Sequence, residues 1–318
     1  MSMLKAYSLT GDDRFSRTAV RAAEYLMSLE ARPMGASFFC RKNPYKDYAN
    51  GLIGQAWVLE ALSAAADLLV RSQYRTLVEE VFFLHPYEEN VGLWGRVNVD
   101  GSYRPIDWTL NQQAWFAASV GSGHKNDPLI EQRILKFLDL TDAQYLSLGA
   151  YGRIRHRATG SRIGETLRSI RKIAKSPLNY LEGKRDMFGR EIGYHAFNLY
   201  GFSLLKHRFP QHALWKNPKF IKALRFLQHD RYIDALDKSK YAYSYNPCGF
   251  EAAYAIETFP EVFPDHDKLR RFFINRQIAR TFNFKTCLME LNSVDPITLA
   301  ARLYEITRLS DMEIETRI

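Results

Sequence analysis

Two contrasting kinds of helical segment alternate along this chain, and that alternation leaves few architectures open to it. One kind is small and apolar on most sides, with a few polar residues near its start. Gly51–Leu62, Leu110–Ala118, Tyr194–Phe202 and Gly249–Ile256 are of this kind, and Asp295–Tyr304 is a fifth. The other kind carries charge along one face, as in Glu131–Leu138 and Lys219–Leu227. A helix that is apolar all round is buried, whereas one with a charged stripe faces water. Inner and outer helices in alternation predict an all-α fold of repeated helical hairpins, about five to six in number, either closed into an (α/α) toroid or open as an α-solenoid.

Apolar periodicity predicts helices over Arg14–Leu29, Leu52–Leu69, Tyr74–Phe83, Thr109–Ser119, Pro128–Leu140, Ala196–His207, Asn217–Leu227, Gly249–Thr258, His266–Thr281 and Pro296–Leu309. The segment Gly92–Tyr103 interrupts this pattern and predicts a small β-hairpin with Asp100-Gly101 as its turn. The 318 residues suit one domain, read here as 1–318 with a basic insertion at about 152–190. Cys40, Cys248 and Cys287 are too few and too scattered for a disulfide framework, so they are expected as reduced core residues. No Cys-x-x-Cys or His-x-x-x-His spacing predicts a zinc site, and no phosphate-binding or dinucleotide motif appears; no metal or cofactor is expected. Met1–Asp13 lacks the apolar core of a secretory signal and no stretch reads as a membrane span, so a cytoplasmic protein is expected.

The chemistry is expected where the apolar helices begin. Each is entered through a loop rich in Tyr, Asn, Asp or Gly and carries amide or acidic side chains in its first turns. The first entrance holds Asp47, Tyr48 and Asn50, then Gln55, and the second Asp107 and Trp108, then Asn111, Gln112 and Gln113. The third holds Glu191, Tyr194, His195 and Asn198, and the fourth Tyr243, Tyr245, Asn246 and Glu251. Carboxylates, amides and aromatics on an apolar scaffold are the usual composition of a ligand pocket. Asn50, Asp107 and Asn246 also suit helix N-caps, and His195 suits a structural histidine. Gln55 and Asn198 lie too deep to cap, so their amides need other partners. Glu251, within Phe250-Glu-Ala-Ala-Tyr, would be costly to bury unpaired.

The sequences Asp107–Ala117 (DWTLNQQAWFA), Gly92-Leu-Trp and Asn50–Gln55 (NGLIGQ) resemble the six-hairpin (α/α)-toroid carbohydrate enzymes. They are most similar to the unsaturated glucuronyl hydrolase-like proteins of prokaryotic glycan-assembly clusters, archaeal N-glycosylation clusters included. The resemblance spans roughly Asn50 to Glu257. It implies hydrolysis of an acidic, uronic-acid-containing glycan, with Asp107 as general acid and base. Glu251 would be the second carboxylate and His195 a further catalytic candidate, since two carboxylates across a sugar are the common hydrolase arrangement. Asn50, Gln55, Asn111, Gln112, Tyr194, Asn198, Asn246, Arg153 and Arg155 would then hold hydroxyls or the uronate, and Trp57, Trp108 and Tyr243 would stack on sugar. Leu110-Asn-Gln-Gln-Ala-Trp is also similar in placement to the Asn-Asn-His motif of alginate lyase-like toroids, with Gln113 where histidine would stand. That likeness implies a uronate lyase or C5-epimerase, with Tyr194, Tyr243 or His195 as base. A non-catalytic helical repeat that binds glycan or protein is a third reading.

The net charge of +9 is concentrated between Arg153 and Arg190. Arg168, Arg171, Lys172 and Lys175 recur at one-face helical spacing. The default is a solvated face; the alternatives are contact with an acidic glycan, or with a lipid-linked pyrophosphate or saccharide at the membrane surface. No nucleic-acid-binding module accompanies the charge, so nucleic acid is not the expected partner.

Overall fold

A computed structural model describes residues 1–121, 127–158 and 177–313, with the side chains of 177–182 and 184 outside that set. The fold is mainly helical with two small antiparallel sheets, in line with the all-α periodicity and the one β-hairpin. Arg168, Arg171, Lys172 and Lys175 lie outside the described residues. The chain divides into two compact units, Met1–Leu140 with Leu204–His212, and Thr141–Ser203 with Ala213–Ile318.

The first unit opens with α1 (Ser2–Thr10) and α2 (Asp13–Leu26), the latter started by Asp12, whose carboxylate accepts from the Arg14 N–H at 2.8 Å. Then come α3 (Gly51–Leu69), α4 (Ser72–Leu84), strands β1 (Tyr87–Glu88), β2 (Leu93–Val97) and β3 (Tyr103–Ile106), and helices α5 (Leu110–Ala118) and α6 (Pro128–Leu140). The strands pair in the order β1-β2-β3, with a bulge between Gly95 and Arg96. The turn from β2 to β3 falls at Asp100-Gly101 as the sequence predicts, with Gly101 at φ 82°. Against the sequence expectation, α3 is long and apolar enough to cross a membrane, at 19 residues, but it is mostly buried here as a core helix. Beneath the sheet Phe82 stacks on Phe116 with ring centres 5.1 Å apart, and Trp94 meets Phe116 and Phe137 edge-on. Each of these buried aromatics contributes about 2–3 kcal/mol through burial.

The second unit contains α7 (Pro177–Gly193), α8 (His195–Arg208, in this unit up to Ser203), α9 (Pro218–Phe226) and α10 (Asp230–Lys238). These are followed by α11 (Cys248–Thr258), α12 (His266–Thr281), the hairpin β4 (Phe282–Asn283) and β5 (Leu288–Met289), and α13 (Pro296–Ala301), which runs into a 3-10 turn at Arg302–Arg308. Asn217 and Asp295 cap α9 and α13, each with Pro at the first helical position. Helices α11 and α12 cross closely because Gly249 has no side chain: a Cβ there would stand 2.4 Å from the Phe273 carbonyl oxygen. Of the cysteines, Cys248 is core as expected, whereas Cys287 is exposed on the β4–β5 turn at φ 58°.

Candidate functional site

The two inner-helix entrances of the first unit are built alike. Gln55 on α3 is fully buried; its Oε1 accepts from the Phe38 N–H at 2.8 Å, and its Nε2 donates to the carbonyls of Phe38 at 3.1 Å and Ala49 at 2.8 Å. Gln113 on α5, in the same Gln-Ala-Trp context, is also fully buried. It accepts from the Trp94 N–H at 3.0 Å and donates to the carbonyls of Trp94 at 2.9 Å and Asp107 at 2.6 Å. Each amide thus holds the loop ahead of its own helix, with both N–H donors of its Nε2 spent on backbone carbonyls and its side chain fully buried, which is not the sugar-facing role expected of Gln55. Trp57 and Trp115, two residues further along each helix, meet edge to face at 6.3 Å, with Trp57 half-buried.

Gln112 reaches across to the start of α3, where its Oε1 accepts from the N–H groups of Leu52 at 3.0 Å and Ile53 at 3.3 Å. The side chain at Asn50, at φ 57°, makes no cap bond; Asp47 does that work, accepting from the Ala49 and Gly51 N–H groups. Gly51, at φ 60°, is required because a Cβ there would lie 2.5 Å from Gln112 Oε1.

Asp107 differs from these latches. Its Oδ1 accepts from the Thr109 N–H at 2.9 Å, which is a turn-capping bond. Its Oδ2 makes no hydrogen bond among the described residues; the nearest cation, Arg96 Nε, is 3.9 Å away, and the Asp107 side chain keeps 8% of its surface exposed. Arg96 Nε is itself buried without a hydrogen-bond partner. At the start of the same helix Asn111 is 2% exposed and its Nδ2 has no partner. Trp108, between them in sequence, is half-buried.

In the second unit Glu251 is the centre of an ion network. It is fully buried, and its Oε1 pairs with Arg302 Nη2. Arg302 also donates to Glu305 Oε1 at 2.7 Å and to Asn246 Oδ1 at 2.7 Å, and its guanidinium lies 4.9 Å over the Phe197 ring. Burial pushes the Glu251 carboxyl up, Arg302 opposes this and Glu305 reinforces it. Two carboxylates share one guanidinium here, so a proton retained on Glu251 balances the charge. Asn246, one residue ahead of the Pro247 N-cap of α11, makes no cap bond; its Nδ2 donates to the Tyr241 carbonyl at 2.9 Å.

His195 is locked. The ring is fully buried; Nδ1 accepts from the Ile154 N–H at 3.2 Å, and Nε2 faces the Ala223 carbonyl at 3.0 Å. Only the neutral Nε2–H tautomer satisfies both neighbours, and burial lowers its pKa to about 3. Such a ring has neither lone pair nor proton for a substrate. Arg153 is committed to Glu191 at 2.8 Å, and Arg155 is exposed.

Around Tyr194, half-buried between α7 and α8, lie the rings of His156, Phe197, Tyr241 and Tyr245, at centre distances of 5.7, 5.5, 6.2 and 6.2 Å. Arg190 donates to Tyr241 Oη at 3.2 Å, and Tyr241 donates to Asp186 at 2.9 Å. Burial raises the Tyr194 phenol, a shift reinforced by Tyr245. Asn198, 1% exposed, donates to the Tyr194 carbonyl at 2.6 Å while its Oδ1 has no partner. Tyr243 is buried, with Arg280 4.7 Å over its ring. The sequence reading missed Arg190, Tyr241, His156, Arg302 and Arg96. The alternation Tyr241-Ala-Tyr-Ser-Tyr245 was the available signal for Tyr241, and an arginine within the apolar Ala-Ala-Arg-Leu-Tyr run was that for Arg302.

No protein-family model matches the chain, and no solved structure matches it. Over 99% of its length it is 38% identical to archaeal glycosylation protein Q of Haloferax volcanii, and the alignment covers 86% of that protein. Similarity at that level along nearly the whole of both chains makes this protein a member of the archaeal glycosylation protein Q family.

Proposed function

We propose that this protein acts in archaeal glycosylation as a glycoside hydrolase-like enzyme on an acidic, uronic-acid-containing saccharide, free or lipid-linked. Its relative is named for archaeal glycosylation. The observation that carries the catalytic assignment is Asp107: one oxygen is pinned to the Thr109 N–H, and the other makes no hydrogen bond among the described residues, 3.9 Å from Arg96 Nε, on a side chain that keeps 8% of its surface exposed. A carboxylate held at one oxygen and free at the other is positioned to exchange a proton with a glycosidic oxygen.

The test is product analysis on a uronate-terminated oligosaccharide with purified protein and its Asp107→Asn variant. Cleavage with gain of water, lost in the variant, supports the assignment, and full activity in Asp107→Asn refutes it. A lyase or epimerase reading draws on a different observation, the Tyr194–Tyr245 pair close to Arg190, since uronate elimination needs a base and a cation. An unsaturated product absorbing in the near ultraviolet, sensitive to Tyr194→Phe and not to Asp107→Asn, would decide for that chemistry.

A further inference from the structure

Helices α7 and α10 of the second unit enclose an open cleft of about 460 Å³. From α7 it receives Arg185, Phe188 and Gly189, which share one helix face at spacings of three and four residues. From α10 it receives Arg231, Asp234 and Lys238. Ser239 Oγ donates to the Gly189 carbonyl at 2.7 Å and ties the two helices together at the cleft floor. Arg185, Arg231 and Lys238 are exposed and make no ion pair among the described residues, so against the single Asp234 the cleft keeps an excess of positive charge.

The cleft is also organised. The guanidinium of Arg231 lies 4.5 Å over the Tyr151 ring, and Tyr151 is held at φ 62° in a 3-10 turn. The next residue, Gly152, cannot be replaced without driving a Cβ to 2.3 Å from the Lys222 carbonyl oxygen, so the turn that presents Tyr151 has little freedom to move. On the other wall the Phe188 ring is backed by Arg153 at 4.5 Å, and Arg153 is already neutralised by Glu191. Stacking on an aromatic ring fixes a guanidinium while leaving its N–H donors free. Arg231 and Lys238 stand seven residues apart, about 10 Å along the helix, a wider spread than one phosphate group spans.

We propose that this cleft is an anion site for a diphosphate-bearing ligand, with Arg231 and Lys238 gripping the two ends, Arg185 opposite, and Phe188 as an apolar wall. The diphosphate could belong to a free nucleotide or to a lipid headgroup; the recognising chemistry is shared. The proposal does not depend on Asp107 or on any glycan reaction.

The test is calorimetric titration of the full-length protein with inorganic pyrophosphate. Saturable binding is expected, weakened roughly tenfold or more in the Arg231→Ala/Lys238→Ala double variant, as for loss of charged hydrogen bonds. A double variant with the same charge loss elsewhere, Lys46→Ala/Lys285→Ala, should bind like the wild type. Tyr151→Leu, which removes the platform and keeps the charge, should weaken binding by a smaller factor. Competition then identifies the source: displacement by uridine diphosphate indicates a nucleotide, and displacement by vesicles containing farnesyl diphosphate indicates a lipid-borne diphosphate. Absence of saturable binding, equal loss in both double variants, or displacement by neither competitor overturns the proposal.

Discussion

Replacing Gln113 by Leu tests whether the amide latches hold the first unit together. The Gln113 side chain is fully buried and bonds three backbone groups, the Trp94 N–H, the Trp94 carbonyl and the Asp107 carbonyl. Leucine is similar in length but can bond none of them. Trp94 lies on a buried strand segment with no solvent to replace the lost acceptor, so its N–H is left unsatisfied at a cost of about 1–3 kcal/mol, and each lost amide donor costs about 1 kcal/mol more. The Trp94 carbonyl keeps a longer bond from the Asp107 N–H at 3.3 Å, which softens its share. Added apolar burial by Leu returns part of the total, leaving a net loss of about 3 kcal/mol. Four of the five tryptophans, Trp57, Trp94, Trp108 and Trp115, belong to this unit, so urea unfolding followed by tryptophan fluorescence reads it directly. The midpoint should fall with little change in slope. Gln55→Leu should cost about as much as Gln113→Leu, whereas Gln112→Ala, which removes a half-buried cap from α3, should cost only about 1 kcal/mol. A loss below about 1 kcal/mol for Gln113→Leu, the range of ordinary surface changes, would refute the latch argument.

Three further outcomes follow from the geometry. Gly249→Ala should destabilise the second unit by about 1–3 kcal/mol, because its Cβ meets the Phe273 carbonyl and Gln277 Cβ rather than a flexible side-chain end; unchanged thermal unfolding would contradict the close α11–α12 crossing. Burial lowers the histidine pKa to about 4 at His85, about 4 at His156 and about 3 at His195. A depressed histidine contributes stability above its usual pKa that is lost as pH falls through the acid range, so the melting temperature should drop as pH is lowered from about 6.5 to about 4, and a flat profile would exclude it. Glu251 shifts the opposite way, from 4.5 to about 8. Its contribution is therefore present below about 4.5 and lost as pH rises towards about 8; Glu251→Gln should remove that alkaline decline, and identical pH profiles for wild type and variant would count against a protonated Glu251.

The helices that could be read from sequence are those whose burial is one-sided or complete over many residues. Helix α10 escaped because it is nine residues long and buries only Tyr232 and Leu236, too few for a period to show. The N-terminal helix α1 buries only Leu4 and has no side-chain cap. Helix α7 lay inside a stretch read as a basic insertion, where charge hid the face that Arg190 and Asp186 turn to Tyr241. At the entrances, residue types were legible but destinations were not. A glutamine inside an apolar helix announces that its amide has partners, and Gln55 finds them 17 residues upstream at Phe38, a distance that depends on loop path rather than helical period. Glu251 announces that it needs a cation, and nothing in spacing identifies Arg302, 51 residues downstream.

The entrance residues differ in how far their polar atoms are bonded within the protein. Folded proteins pair nearly all buried polar groups, so a group left unpaired in an otherwise satisfied neighbourhood marks a place for something else. Gln55, Gln113, His195 and Asn246 have both side-chain polar atoms bonded within the protein. At the entrances the atoms left without a hydrogen bond among the described residues include Asp107 Oδ2 and the buried Asn111 Nδ2 and Asn198 Oδ1, while the first unit also buries Tyr74 Oη, His85 Nε2, Trp94 Nε1 and Arg133 Nε without one. A sugar hydroxyl both donates and accepts at one oxygen, so the saccharide proposed above would meet Asp107 Oδ2 as a donor. What sets Asp107 apart is its place: Gln113, six residues on, ties down the Asp107 carbonyl while the carboxylate spends one oxygen on the Thr109 N–H, so the entrance to α5 is fastened from within and Oδ2 is left out of that fastening.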